Sequence, residues 1–213
     1  MKITQYLFTF IIICSVTLVN AQTISKNSFW GVKGGLNVSQ FKVDNYSRME
    51  DNGDYPIDFS PKPGFYVGAF FKFKINDIFL GSTEVIYSNR NMDQEAIVTI
   101  TPNNGATPST TLQTSINQQL LTFPVLINYG ITNSIHLEVG PQLGFVLSSD
   151  SFIPNSTSTV MNNSYDTFEL SGVFGLSYDL LDNLSLEGRF GYGFLQREEG
   201  FSNVYQLGIA HKL

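Results

Sequence analysis

Apolar and polar residues alternate along eight segments of the chain between Trp30 and Leu213. On one face of these segments no residue is Asp, Glu, Lys or Arg, whereas the opposite face has eleven of them. Alternation with a period of two is the pattern of a β-strand whose two faces meet different surroundings. The segments lie near residues 30–40, 64–75, 78–90, 118–129, 136–147, 168–180, 184–194 and 204–213. The pattern predicts an all-β protein of eight strands.

The connections between these segments alternate in length. Residues 76–77, 132–134 and 182–183 form short connections of Asn, Asp, Ser and Thr, which favour tight turns. The connections at 41–63, 91–117, 148–167 and 195–203 are longer and polar. Short periplasmic turns and long external loops are typical of barrels in the outer membrane of Gram-negative bacteria. We therefore predict an eight-stranded antiparallel up-and-down transmembrane β-barrel whose two termini are periplasmic.

Aromatic residues recur near both ends of the apolar face, where interfacial girdles of a membrane barrel would lie. Near the short turns they are Trp30, Phe73, Phe79, Tyr129 and Tyr178, and near the long loops Phe65, Tyr87, Phe145 and Tyr192. A soluble lipocalin-like binding barrel is the alternative, with the apolar face inside. That arrangement would not explain the alternation of loop lengths, so the membrane barrel is preferred.

The first residues of the chain resemble a secretory signal peptide. Lys2 precedes an uncharged run of about 14 residues, and Ala21 ends a cleavage motif. The run is shorter than the ~20 residues that a spanning helix needs. We predict a signal peptide at 1–21 and a barrel domain at 22–213. Cys14, the single cysteine, lies inside the predicted signal peptide, so no disulfide or Cys-based metal site is expected.

Candidate chemistry outside the lumen is sparse. Ser134 and His136 are the nearest approach to a nucleophile and a base, although serine in such a turn ordinarily bonds the backbone. The acidic segment from Asp51 to Asp54 lacks the ligand spacing of an EF-hand loop, and a solvated loop is the preferred interpretation. The formal net charge of −6 argues against nucleic acid as a partner. We expect no enzyme activity, no cofactor, no metal and no catalytic residue.

The charged face predicts an ion-pair cluster in the lumen. An eight-stranded barrel is just wide enough for its own side chains to fill it. Ten glycines on the inward face would make room for longer side chains, and the inward charges gather toward the periplasmic half. The predicted cluster is Lys33, Lys72, Glu84, Glu138, Glu187 and Arg189. A structural plug is preferred over a paired acid/base site for these residues.

Two prolines, Pro124 and Pro141, lie inside the fourth and fifth segments. Proline lacks the N–H that a strand donates, and it usually occupies an edge or a bulge. Because a closed barrel has no edge, we predict β-bulges at both positions. The alternative is that these two strands are broken.

Several stretches together resemble the PorT-type outer-membrane β-barrel family of Bacteroidetes. The matching stretches are 31–37 (GVKGGLN), 84–88 (EVIYS), 121–126 (LTFPVL), 138–141 (EVGP) and 186–193 (LEGRFGYG). The resemblance implies an outer-membrane location. Some members of that family are accessory factors in protein export by the type IX secretion system. Leu213 and His211 depart from the aromatic C-terminal pattern that the barrel-assembly machinery prefers.

These observations favour a non-enzymatic structural or interaction protein that acts through its external loops or its lipid-facing wall. Its expected partners are outer-membrane lipid, the barrel-assembly machinery and, by resemblance, proteins of a secretion system. A narrow, porin-like pore for small solutes is the second hypothesis. A lipid-modifying enzyme that uses Ser134 and His136 is the third.

Overall fold

The computed structural model describes residues 28–42, 57–99, 109–152, 168–194 and 201–213. The predicted signal peptide at 1–21 and the acidic segment at 51–54 lie outside these ranges. Within the ranges the chain forms eight strands, and no helix there is long and apolar enough to span a membrane. The strands are β1 (Phe29–Lys42), β2 (Ile57–Lys74), β3 (Phe79–Thr99), β4 (Ser109–Gly130), β5 (Ile135–Phe152), β6 (Phe168–Leu181), β7 (Leu184–Gly193) and β8 (Phe201–Lys212).

The strands form a closed antiparallel barrel in chain order, with β8 paired to β1. Closure gives every strand two neighbours, so the sheet has no exposed edge. The predicted tight turns are confirmed at all three positions. In the first turn the side-chain oxygen of Asn76 accepts hydrogen bonds from the backbone N–H groups of Ile78 and Phe79. In the second, Thr132 Oγ1 accepts from the backbone of Ser134 and Ile135.

The two faces of the barrel have the predicted sidedness. Trp30 and Leu36 point outward and are each 63% exposed, whereas Lys33 between them is 3% exposed. The same contrast holds in β5, where Val139 is exposed and Glu138 is fully buried. A lipocalin-like soluble barrel would enclose the apolar side chains and expose the charged ones. The observed arrangement is the reverse, which is the arrangement that a bilayer requires.

Four strands extend well beyond their predicted limits on the long-loop side. β3 ends at Thr99 and β4 begins at Ser109, and these two residues pair across the hairpin that was predicted as a loop at 91–117. β2 begins seven residues before its predicted start, and β5 continues to Phe152. Outside the bilayer both faces of a strand meet water, so the ladder continues where the alternation of hydrophobicity stops. The predicted loop boundaries were wrong for this reason.

The bulges predicted at Pro124 and Pro141 are wrong, and neither strand is broken there. Pro124 pairs with Gln142 and Pro141 with Gly172, and the register is the same on both sides of each proline. Pairing between β4 and β5 lapses where residues 125–126 stand opposite 140–141, and pairing between β3 and β4 lapses where residues 123–124 stand opposite 84–85. Each proline therefore lies in a short gap on one side of its strand, where its missing N–H donor interrupts the ladder without shifting the register. The register shifts lie instead between Lys62 and Phe65, Gln119 and Leu120, and Asp179 and Leu181.

Candidate functional site

Six charged side chains from five strands meet in the lumen. They are Lys33 on β1, Lys72 on β2, Glu84 on β3, Glu138 on β5, and Glu187 and Arg189 on β7, and all six are buried. The structure brings together every residue of the cluster that the inward pattern predicted. Three side chains are cationic and three are anionic, so the cluster is balanced when all are ionised.

Arg189 lies at the centre of this lumen cluster. Its Nη1 and Nη2 atoms donate to the two carboxylate oxygens of Glu84 at 2.7 and 2.9 Å. Its Nε atom donates to Oε2 of Glu138 at 2.8 Å. The planar guanidinium thus serves two carboxylates at once, which is the geometry that arginine provides and lysine does not. In a ring of eight strands β7 and β3 stand on opposite walls, so the Arg189 side chain crosses the lumen.

The two lysines complete the lumen cluster from the β1–β2 side. Lys33 Nζ lies 3.0 Å from an oxygen of Glu84 and 2.6 Å from an oxygen of Glu187. Lys72 Nζ lies 3.2 Å from Glu138. Both ammonium groups also approach the ring of Phe70, at 5.6 and 5.5 Å from its centroid. Each carboxylate therefore has a cationic partner, which offsets the large cost of burying it.

Glycines create the space that these side chains occupy. A Cβ atom at Gly175 would lie 2.7 Å from Cγ of Arg189. A Cβ at Gly31 would lie 2.1 Å from the ring of Phe70, against which both lysines rest. Such distances are far below van der Waals contact, so a larger residue at either position would displace the lumen cluster.

A second ion pair crosses the lumen nearer the long-loop end. Arg90 on β3 contacts Glu169 on β6, with Nη1 2.9 Å from Oε2, and both side chains are buried. The sequence pattern placed both residues on the inward face without pairing them. Both residues lie on the inward face and near the long-loop ends of their strands. These two features of the sequence could have predicted that they form a pair.

Three other inward charges lie outside the lumen cluster, at the mouth formed by the tight turns. Lys74 pairs with Asp77 of the first turn, and this hydrogen bond lowers the pKa of the Asp77 carboxyl. Lys212 Nζ lies 4.4 Å from the ring centroid of Phe29. Asp179 is bonded to His136 and Ser185. These three charges therefore lie at the mouth and not in the lumen cluster.

The contacts of His136 do not form a nucleophile–base pair. His136 Nε2 lies 3.1 Å from Oδ2 of Asp179, and Ser185 Oγ donates to Oδ1 of the same carboxylate at 2.6 Å. Ser134 uses its backbone: its N–H donates to Thr132 Oγ1 within the turn at 3.2 Å, and its carbonyl oxygen accepts from the N–H of Asp179 on β6 at 2.8 Å. In the described ranges no hydrogen bond joins Ser134 to His136, and no three His, Cys, Asp or Glu residues are placed to hold a metal ion.

Aromatic rings pair on the outer wall at both ends of the barrel. Toward the tight turns Trp30 contacts Phe71 at 4.7 Å between centroids, and Phe79 contacts Tyr129 at 5.4 Å. Toward the other end Phe145 contacts Phe168 at 5.7 Å. Aromatic rings at these two levels suit the two membrane–water interfaces.

An apolar outer wall around a closed polar lumen defines the class of outer-membrane β-barrels. A family model described as "Outer membrane protein beta-barrel domain" matches residues 20–196, most of the chain. The chain belongs to this family, and its place is the outer membrane.

The chain is similar to several solved outer-membrane barrels at low sequence identity. OprG of Pseudomonas aeruginosa is 14% identical with a TM-score of 0.53, over 89% of this chain and 98% of OprG. Ail of Yersinia pestis, at 12% identity and a TM-score of 0.49, covers 87% of this chain and 99% of its own. Neisserial surface protein A, also at 12% and 0.49, covers 87% of this chain and 97% of its own. No curated protein sequence matches the chain significantly.

Proposed function

We propose that this protein is a PorT-like, non-enzymatic component of the outer membrane that acts through its external segments, as an interaction partner of other envelope proteins. The observation that carries the proposal is the lumen cluster, because Arg189 extends from one wall to Glu84 on the opposite wall. Side chains fill the interior of such a barrel, so a passage for solutes is disfavoured. Its functional surfaces are then the outer wall and the two ends.

The energetics of the lumen disfavour the alternative of a narrow pore. A solute that passes must separate the Arg189–Glu84 pair and then the Arg90–Glu169 pair, which lie at different heights. Removing one partner of a buried ion pair costs a fold roughly 3–5 kcal/mol, and separating the two partners inside the lumen is costly for the same reason. Two such barriers in series would reduce any flow of small solutes strongly.

The extended strands support a role on the outer side. β3 and β4 contain 21 and 22 residues, whereas about 9–11 residues suffice to cross the hydrocarbon layer. The excess forms a paired β-extension that projects beyond the bilayer on the long-loop side. A paired ladder is stiffer than a loop, so the extension suits a docking platform. Proteins of a secretion system are the partners that the PorT resemblance favours.

The proposed orientation places the three tight turns and both termini in the periplasm. In this orientation the paired extension faces outward, as expected of the long side of an outer-membrane barrel. Insertion by the barrel-assembly machinery would proceed from the periplasmic side. An epitope tag after Leu213 tests the orientation, because antibody should reach it only after the outer membrane is permeabilised. Labelling of the tag on intact cells would contradict it.

Planar-bilayer conductance tests the closed lumen. The wild-type protein is expected to give no stable unitary openings. The Glu84→Ala/Arg189→Ala double variant removes the central cross-lumen pair and is expected to leak, while Ser134→Ala, outside the lumen cluster, should behave as the wild type. Stable openings of the wild type would favour the pore and contradict the proposal.

Crosslinking in intact cells tests the interaction surface. A photoreactive residue at Ser60, which is exposed on the extension, is expected to capture an envelope protein. The matched control places the same residue at Asn133, in a tight turn at the opposite end. Adducts at Asn133 without adducts at Ser60 would move the interaction to the other side of the membrane and overturn the proposal.

A further inference from the structure

The membrane-facing wall has an apolar recess across β6, β7 and β8. Its volume is about 630 Å³, and it is lined chiefly by Phe174, Leu176, Tyr178, Leu186, Phe190 and Leu207. The recess begins near the middle of the wall, at Phe190, and runs toward the tight-turn end, where Tyr178 lies beside Ile135.

Gly188 is the cause of the recess. It faces outward on β7 and pairs with Leu176 on β6 and with Leu207 on β8. A Cβ atom at this position would meet no heavy atom within 4 Å. The result is a slot with leucine walls and a backbone floor, open to the membrane.

At two other outward glycines, an aromatic ring of the same wall fills the space above the glycine. A Cβ at Gly81 would lie 2.3 Å from the ring of Phe73, and one at Gly172 would lie 2.7 Å from the ring of Phe194. Aromatic rings that cover strand glycines in this way stabilise sheets. At a third, Gly34, the nearest atom is a backbone oxygen at 3.3 Å. Among the residues that the structure describes, no ring covers Gly188, and its slot is open to a molecule from the membrane.

The width of the slot selects its occupant. Leu176 and Leu207 stand two interstrand spacings apart, or roughly 9.6 Å. A methylene chain that contacts a wall on each side at ~4 Å needs about 8 Å. An α-helix with its side chains is ~10–12 Å across and is too wide. Across the strands the slot therefore admits one alkyl chain and excludes a helix.

We propose that the recess at Gly188 binds one acyl chain of a phospholipid. The recess is continuous with the wall that membrane lipid covers, so its occupant comes from the same pool of chains. Tyr178 stands at the end of the recess near the tight turns, where its hydroxyl can reach the headgroup level. The phospholipid therefore belongs to the leaflet on the tight-turn side. The orientation proposed above decides only whether this leaflet is the periplasmic one, and the lipid site itself does not depend on it.

Retention of lipid through purification tests this site. The full chain is purified from cells in detergent, washed extensively, and assayed for phospholipid by phosphorus analysis and native mass spectrometry. The wild type is expected to retain one phospholipid per barrel, and Gly188→Leu to lose it by at least about tenfold. Val125→Leu, which enlarges an exposed residue of the same wall outside the recess, is the matched control and should retain the lipid.

Three results would overturn the proposal. Equal retention by the wild type and Gly188→Leu would show that the recess does not select lipid, and so would a lipid-free wild type. A wild-type dimer that Gly188→Leu converts to monomers, seen by analytical ultracentrifugation, would identify a second copy of the chain as the occupant. Should Gly188→Leu not fold, as judged by its heat-modifiable gel band, Gly188→Ala replaces it and is expected to retain intermediate amounts.

Discussion

Arg189 and Glu84 are 105 residues apart in the chain and meet across the lumen through two hydrogen bonds of 2.7 and 2.9 Å. One side chain comes from β7 and the other from β3, on opposite walls of the barrel. The pair therefore braces the barrel across its diameter, whereas the backbone ladder holds each strand only to its neighbours.

Removing this brace should destabilise the barrel strongly. Arg189→Met keeps much of the side-chain volume but leaves Glu84 and Glu138 with only the lysines as cationic partners. We expect a loss of about 3–5 kcal/mol in the free energy of unfolding, the cost of an uncompensated buried charge. Unfolding in urea, followed by the heat-modifiable shift on gels, measures the loss.

A double-mutant cycle isolates the contribution of the pair. Glu84→Gln keeps the shape of the side chain and removes its charge. Combined with Arg189→Met, it should cost less than the sum of the two single changes, by about 0.5–3 kcal/mol. Additive losses would mean that Arg189 and Glu84 do not act together.

Two inward glycines should respond differently to the same substitution. A Cβ at Gly208 would lie 2.3 Å from the Tyr66 hydroxyl and 2.4 Å from the Gly34 carbonyl, at the seam where β8 meets β1. A Cβ at Gly191 would lie 3.8 Å from Val204. Gly208→Ala should therefore destabilise the barrel by about 1–3 kcal/mol through overpacking. Gly191→Ala should be neutral or stabilise it by up to ~1 kcal/mol. Equal unfolding midpoints for the two variants would contradict this close approach at the seam.

The β-extension should loosen in acid. Asp93 lies on β3 beyond the bilayer; Lys62 Nζ is 2.6 Å from its Oδ2, and Ser115 Oγ donates to its Oδ1 at 2.7 Å. Burial raises the pKa of Asp93, but the bonds from Lys62 and Ser115 and the charge of Lys62 outweigh it and hold the pKa below its usual value. A carboxyl whose pKa is lower in the folded state stabilises that state at pH values above its unfolded-state pKa of ~3.9. This stabilisation is lost as the pH falls through the folded-state pKa.

Hydrogen exchange measures this loosening. Amides of β2, β3 and β4 around Lys62, Asp93 and Ser115 should lose protection between pH 6 and pH 3, after correction for intrinsic rates. In Asp93→Asn the protection should be lower at pH 6 and nearly independent of pH. A wild-type extension that is equally protected at both values would show that this carboxylate does not hold it.

The sequence was sufficient to predict the barrel and its sidedness because the membrane imposes one rule on every strand. Each residue that faces lipid must be uncharged. The side of the strand on which Trp30 or Lys33 lies can therefore be assigned from the residue itself, without knowing which residues it contacts. The same rule brought the six residues of the lumen cluster onto one face. Where the strands leave the bilayer the rule no longer applies, and the extension to Thr99 and Ser109 was missed.

Pairing across the lumen depends on the stagger of the strands, which hydrophobic alternation does not encode. Arg90 and Glu169 were both placed inward, yet their contact follows from the heights that the register gives them on β3 and β6. The prediction of β-bulges at the two prolines was also wrong. Pro124 falls in a gap of the β3–β4 ladder and Pro141 in a gap of the β4–β5 ladder, and neither gap shifts the register.

Replacing both Ser134 and His136 with alanine should leave the protein's effect on membrane lipid unchanged. The bond of His136 goes to Asp179, and Ser134 contributes its backbone to the turn, so neither activates the other as a nucleophile. The measurement is the release or transfer of labelled acyl chains in phospholipid vesicles that contain the wild type or Ser134→Ala/His136→Ala. Both should equal the protein-free background, as should Ser185→Ala, which removes the other side-chain partner of Asp179. Turnover by the wild type that the double variant abolishes would make the barrel a lipid-modifying enzyme, because substitutions at this mouth leave the lumen cluster intact.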